Sequence, residues 1–416
     1  MTPKEHFKLM SDKLTLVHKG VKLNKVLCSL LMWIAGGNIK ALGNWKSLSK
    51  FVFRFDVSEL SKTELKPLLV SFGYYPNRKD HRELMETVSK RIDRDLTYID
   101  TSKWNCHKIA FSPTNIFKSL YSVIFKMRGF GMTLKDRILL SAWICLYLNS
   151  IDALSKVDFS NVKKFLCLAN SLDLENLMTQ YLSHKGIRTY SLMEGAYFRQ
   201  ESELPITNIA FENLTSDIQL CWGQYSKDEF MKFGYPEERM KVIGYPKKVD
   251  GKPMKNNNPF KKSVVLLSQY VMEKQNRDLI DILSKFTDKQ DFYIKLHPSL
   301  DFAAYSKLAD AKGMKVIPKD TTVNECVNNE AFDFAIAINS TAYYEALMRG
   351  LPCFRYYDGS YTPMAGYNDE FLDSESYKKV LNSVSTIALD DFQKGIDNTL
   401  EYAIGWGIDN YHKIFI

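Results

Sequence analysis

The 416 residues are 45% hydrophobic and 25% charged, with a formal net charge of +8. That balance excludes a disordered chain, and the length exceeds one ordinary core, so two domains of α/β size are expected. Seven scattered cysteines with no C-x-x-C pair exclude a disulfide framework and a zinc site, and suit buried free thiols in a reducing cytosol.

The first 50 residues hold nine lysines against Glu5 and Asp12, a net of +7, and include the apolar run 26–35. Such an arm either lies on an anionic membrane face or forms a solvated helix face packed on the N-terminal domain. It lacks arginine and precedes no nucleic-acid module, so no nucleic-acid partner is expected. Its basic region is too long and too mixed with acids for a signal peptide. The apolar run 138–148 is too short to span a bilayer. The chain reads as cytoplasmic, either soluble or peripheral on the inner face of the membrane.

Residues 66–75 then predict a strand ending in a Gly-containing loop, 73–79, followed by a helix over 83–91 and a strand over 96–100, the start of a β-α-β alternation. Residues 115–156 predict long helical segments broken at Gly129 and Gly131, with Lys118, Lys126, Arg128, Lys135 and Arg137 among apolar ones. They form either a helical insertion that faces acceptor or membrane, or a pair of helices covering the sheet. The alternation resumes with strands at 162–168, 188–193, 217–222 and 240–243, and helices at 174–184 and 227–233. Residues 245–258, with two prolines, a glycine, lysines and an asparagine run, read as a linker. Beyond it strands are predicted at 263–268, 292–296, 314–317, 332–338 and 353–356, with helices at 273–286, 301–312, 321–329, 341–349, 375–383 and 390–404. The expected domains are 1–250 on the acceptor side, 260–395 for the donor, and a C-terminal helix and tail over 396–416.

Ligands of such sheets bind at the carboxyl ends of the strands, which makes the strand ends the candidate sites. Lys295, His297 and Pro298 end one strand, Ser268 and Gln269 another, and Asn339, Ser340 and Thr341 a third. Ser340 suits a helix N-cap, and a second hydroxyl at Thr341 beside a helix N-terminus suits phosphate. His297 can then stabilise a departing phosphate, or it is a structural histidine at a strand end. Glu345, four residues after Thr341, either reaches ribose hydroxyls or lies exposed on the helix. Lys295 either points with His297 or is solvated. In the first domain Glu194 and Gly195 end a strand, where a carboxylate can serve as base for an acceptor hydroxyl; Gly73 and Tyr197 complete the acceptor-side candidates. No Walker A loop, G-x-S-x-G, H-E-x-x-H or full G-x-G-x-x-G is present. The D-x-D triplet 93–95 precedes its strand, so no catalytic metal is expected.

The segments KLHPS, NSTAYYEALMRGLP and MEG resemble the HP, serine/threonine and acidic-Gly motifs of bacterial sialyltransferases and polysialyltransferases. The stretch YSKDEFMKFGYPEERMKVIGYPK followed by KLHP is also similar to CDP-glycerol glycerophosphotransferases and capsule Kdo transferases. The resemblance covers about residues 187–355. It implies an α/β GT-B fold, with two Rossmann-like domains facing across a cleft and a helical insertion in the first. It also implies an inverting, metal-independent glycosyltransferase of bacterial surface glycan, capsule or lipooligosaccharide. Glu194 would be the base, His297 the leaving-group stabiliser, and Ser340 with Thr341 the phosphate ligands. The implied partners are a nucleotide-sugar donor, a CMP-activated acidic sugar first, and a glycan or lipid-linked acceptor, with no bound cofactor. Met193 stands where sialyltransferases often carry a second acid, and Thr341 where they carry serine. Two alternatives stay open: a CDP-glycerol or CDP-ribitol polyol-phosphate transferase, and a non-catalytic nucleotide-sugar-binding protein.

Overall fold

The computed structural model describes residues 1–73, 79–92, 95–171, 173–197, 209–247, 253–254, 260–328, 332–361, 363–405 and 410–415. The loop expected at 73–79, the D-x-D triplet and the linker at 245–258 fall largely outside these residues. The chain divides into two compact units. One comprises Met1–Cys221, Lys227–Pro246 and Gly407–Ile416, the other Trp222–Ser226 and Lys247–Trp406.

The first unit is built on six parallel strands, β1 (Leu68–Phe72), β2 (Leu96–Asp100), β3 (Lys164–Leu168), β4 (Arg188–Leu192), β5 (Ile218–Cys221) and β6 (Met240–Val242), in the spatial order β6-β5-β4-β3-β1-β2. Every residue of β1 is buried, which is why it reads as an apolar run broken only by Ser71 and not as an alternating one: both faces of a parallel sheet are covered. The basic arm belongs to this core. Helices α1 (Pro3–Lys13) and α2 (Cys28–Ala35) bury Phe7, Met10, Leu31 and Ile34 in the main apolar cluster. The apolar run 26–35 is therefore packed largely inside the unit, with Leu30 and Trp33 half-buried. His18 and Lys19 are spent on Asp152, at 2.9 and 2.7 Å.

The expected helical insertion is present between β2 and β3 as α3 (Pro113–Ile124) and α4 (Leu134–Leu154). At 21 residues α4 is longer than its apolar run suggested and would reach across a bilayer, but it is mostly buried, as the core helix of the unit. Helix α5 (Asp173–His184) follows β3 and ends in the left-handed Gly186, φ +80°, whose neighbour Ile187 donates back to the Leu182 carbonyl at 3.0 Å.

The second unit carries β7 (Lys262–Leu266), β8 (Asp291–Lys295), β9 (Lys315–Val316), β10 (Phe334–Ile338), β11 (Cys353–Tyr356) and β12 (Glu370–Phe371) in the order β9-β8-β7-β10-β11-β12, all parallel. Phe292, Ile294, Phe334, Ile336 and Ile338 fill one core with residues of α6 (Glu273–Leu283), each buried side chain of this size contributing about 1.5–3 kcal/mol. Two expectations need correction. The domain boundary at 395 cuts a single amphipathic helix, Leu389–Ala403, whose buried Phe392, Ile396 and Leu400 lie on one face. The C-terminal helix and tail expected over 396–416 is not one piece, because its first part belongs to the second unit while helix Asn410–Phe415 packs on the first. There Tyr411 donates to the Gly244 carbonyl at 3.1 Å and Phe415 meets Tyr190 edge-on at 5.0 Å.

Candidate functional site

Strands β8, β7 and β10 are neighbours in register, with Leu266 between Lys295 and Ala337, so the loops that follow them emerge side by side. Chain order reverses at β7, which makes their carboxyl edge the switch point of the sheet, where a crevice forms. After β7, Asn276 of α6 grips the Ser268 backbone from both sides, accepting its N–H at 2.9 Å and donating to its carbonyl at 3.0 Å. This leaves Gln269 extended and lets the Tyr270 N–H donate to Ser299 Oγ at 3.1 Å.

His297 follows β8 and is half-buried, while Pro298 and Ser299 are exposed. Its Nδ1 accepts the Ser299 N–H at 3.2 Å and lies 2.8 Å from Ser299 Oγ. An amide N–H only donates, so Nδ1 is an acceptor and the neutral ring carries its proton on Nε2. Ser299 Oγ, already accepting from Tyr270, donates its O–H in a hydrogen bond to Nδ1. Ser299 thus ties the β7 loop to the β8 loop and holds the imidazole in its donor tautomer. Its signal in the sequence is a hydroxyl two residues after the histidine, a spacing at which serine bonds locally. Lys295 is not solvated: it is 7% exposed and donates to the Lys319 carbonyl at 3.2 Å, and burial pushes its pKa down.

After β10, Asn339 accepts the Met364 N–H at 3.2 Å, while its Nδ2 is buried with no partner among the described residues. A buried amide donor left unpaired costs about 1–3 kcal/mol and suits an incoming acceptor oxygen. Helix α7 (Ala342–Met348) begins one residue later than expected. The capping position falls on Thr341, which makes no side-chain cap bond, and Ser340 Oγ accepts the Ala342 N–H at 3.3 Å. Thr341 and Glu345 are half-buried.

Beneath this edge Arg355 of β11 is buried against Asp369. Nε and Nη2 each donate to one carboxylate oxygen at 2.8 Å, and Nη1 donates to the Met364 carbonyl. Glu370 adds a contact at 2.8 Å, and the guanidinium lies 4.9 Å from the Tyr343 ring centroid. The pair braces the segment 364–369, whose Ala365 carbonyl accepts the Tyr344 hydroxyl of α7 at 2.8 Å.

In the first unit Glu194 and Gly195 follow β4 after the buried Met193 and are half-buried. The Tyr197 ring packs edge-on against Phe211 and Phe230, at 6.2 and 5.9 Å, as part of an aromatic cluster. Gly73 ends β1, where a Cβ would come within 1.9 Å of Thr101 Oγ1, so close packing against the β2 loop requires glycine there. The carboxylate that the sequence reading missed is Glu175 of α5. It is fully buried, its Oε1 accepting from Ser71 at 3.0 Å and Thr101 at 2.7 Å, and it has no cation partner among the described residues. The adjoining β3 loop is strained at both ends, Ala169 and Asp173 being left-handed at φ +48° and +46°.

Burial pushes Glu175 from 4.5 to about 7, against the pull of the two hydroxyls. Because folding raises this pKa, the neutral carboxyl carries the stability. That contribution is complete below pH 4.5 and is lost as pH rises through about 7. Glu175→Gln should therefore stabilise the protein at pH 8 by up to about 3 kcal/mol and not at pH 4. Urea midpoints measured across this range for both proteins test it, and parallel curves would defeat the assignment.

All seven cysteines are free, six of them buried and Cys106 partly so. Among the described residues no three His, Cys, Asp or Glu side chains come together in a metal-binding group. Asp95, the described member of the D-x-D triplet, pairs with Lys66 at 3.2 Å.

No family model matches the chain, and no curated protein matches its sequence. Its fold is similar to that of the lipopolysaccharide outer core galactosyltransferase WaaB in its apo form, with a TM-score of 0.50 and 12% identity over 84% of this chain and 99% of that one. The UDP-GlcNAc 2-epimerase of Methanocaldococcus jannaschii, bound to UDP-GlcNAc and UDP, aligns with a TM-score of 0.49 and 12% identity over 83% of this chain and 98% of that one. Alr3699/HepE of Anabaena, bound to UDP and glucose, gives 0.47 and 14% over 84% and 98%. The fold is α/β of GT-B type, with two Rossmann-like parallel-sheet units.

Proposed function

We propose that the chain is a nucleotide-sugar-dependent glycosyltransferase of bacterial surface-glycan synthesis. The observation that supports it is the set of donors at the switch point of the second sheet: His297 with its proton on Nε2, the hydroxyls of Ser340 and Thr341, and the buried amide of Asn339. Such a set suits the oxygens of a phosphate leaving group. The likeness in fold to a lipopolysaccharide galactosyltransferase supports the same class. In the reaction an acceptor hydroxyl attacks the anomeric carbon with inversion and gives its proton to a base, the role that the motif likeness assigns to Glu194. The bond from that carbon to the phosphate oxygen breaks, and the oxygen keeps the electron pair and accepts the His297 Nε2–H. Histidine and hydroxyls then supply the stabilisation a cation gives elsewhere, which is why the reading is metal-independent.

A CMP-activated acidic sugar, sialic acid or Kdo, is the donor that the motif likeness favours. A neutral hexose donor is the second reading, favoured by the likeness to a galactosyltransferase. Thermal unfolding with CMP, CDP, UDP and GDP separates them, since a nucleotide at a hundredfold its Kd should stabilise the folded protein by about 2.7 kcal/mol. Stabilisation by CMP alone supports the first reading and by UDP alone the second. No stabilisation by any nucleotide removes both, and phosphate carried into the product would indicate polyol-phosphate transfer.

A further inference from the structure

Helix α3 is turned inside out for a helix that meets only water. It buries Asn115, Ser119 and Ser122 beside a single apolar residue, Val123, and exposes Phe117, Tyr121 and Phe125, which are 69%, 49% and 57% accessible. The buried face has a structural cause: the Asn115 amide donates to Asn149 and Asp152 of α4 at 2.9 and 2.7 Å, and the two serines are small. The exposed face has no such cause. Its three rings are spaced four residues apart and form one stripe, with centroids 6.2 and 5.4 Å apart, and Arg128 lies 5.4 Å from the Phe125 ring at one end. Ile109, Phe111 and Leu134 of the same segment are exposed as well.

The charge around the stripe says what covers it. Residues 101–135 contain six basic side chains, Lys103, Lys108, Lys118, Lys126, Arg128 and Lys135, and not one Asp or Glu. Among the described residues, none of the last five is in an ion pair. A face of aromatic rings edged by long cations outside ion pairs matches the boundary of an anionic bilayer, where rings enter the acyl–headgroup zone and lysine stems extend to lipid phosphates. We propose that the α3 face, residues 108–135, docks the protein on an anionic membrane surface. This goes beyond glycosyl transfer and rests on the first unit alone. It also moves the membrane contact from the basic arm, whose apolar run is buried, to the helical insertion.

Cosedimentation of the full chain with vesicles tests it. The protein should pellet with equimolar phosphatidylcholine–phosphatidylglycerol vesicles, less so at high salt, and remain in solution with phosphatidylcholine alone. The variant F117S/Y121S/F125S, altered only at exposed positions, should keep its melting temperature and bind at least about tenfold more weakly. K118E/K126E/R128E, which leaves the rings in place, should also lose binding. The proposal is overturned if the wild type stays in solution with mixed vesicles, or if both variants pellet like the wild type. It is equally overturned if the wild type is a dimer that the aromatic variant turns into a monomer, since a second copy would then cover the face.

Discussion

Arg355→Met should destabilise the second unit by about 3–5 kcal/mol, because it strands a buried carboxylate. Asp369 is 3% exposed and receives two hydrogen bonds from the guanidinium. Burial works against the charge of Arg355, and the hydrogen bonds and charge of Asp369 outweigh it. Removing the cation alone leaves that balance one-sided. Removing both charges, as Arg355→Met with Asp369→Leu, should recover most of the loss, since a buried ion pair replaced by apolar groups is often neutral. Urea unfolding of the single and double variants measures this, and a double variant no more stable than Arg355→Met would show that the Met364 carbonyl, and not the charge pair, dominates. The loss should also reach the candidate site. The Met364 N–H holds Asn339 and the Ala365 carbonyl holds Tyr344, so a loosened segment 364–369 should weaken nucleotide binding.

His297→Ala should lower turnover by about 10²–10³-fold, the range expected when a donor to a developing oxyanion is removed. Nucleotide affinity should change much less, because the ring acts most strongly on the charge that appears as the bond breaks. Ser299→Ala should cost about tenfold in kcat with KM nearly kept, since the Ser299 N–H still holds Nδ1 as an acceptor while the hydroxyl no longer orients the ring. Ser299→Thr should restore the rate. Steady-state kinetics of the three variants distinguish a positioning serine from a packing one: equal loss in Ser299→Ala and Ser299→Thr would mean packing. If His297→Ala and Glu194→Ala both left glycan synthesis intact in cells, the enzyme reading would fail.

The second sheet was the most legible part of the chain. Residues 334–338, FAIAI, are buried throughout and flanked by polar residues, so length and boundaries gave the strand within two residues. Strand β12 was missed because two residues carry no period. Residues 14–66 were opaque for a related reason: they form short helices, 3-10 turns at Ile39–Leu42 and Trp45–Val52, and two-residue antiparallel strands, few of them long enough to repeat a pattern. His297, Ser340 and Thr341 were visible because strand ends are marked locally. Glu175 was not, since its partner Ser71 lies 104 residues away in sequence. The spacing of Phe117, Tyr121 and Phe125 announces a helix correctly, yet only tertiary structure reveals that the polar face is the one turned inward.

The return of helix Asn410–Phe415 to the first unit bears on how the protein is made. Synthesis is vectorial, and domains close as their residues emerge. Here residues 1–246 are out long before Tyr411 and Phe415 exist, and the whole second unit must be translated in between. Until helix Asn410–Phe415 has been translated, the places beside Gly244 and Tyr190 that receive those two side chains stand open. Helix Asn410–Phe415 is therefore a late-made latch that closes this part of the first unit.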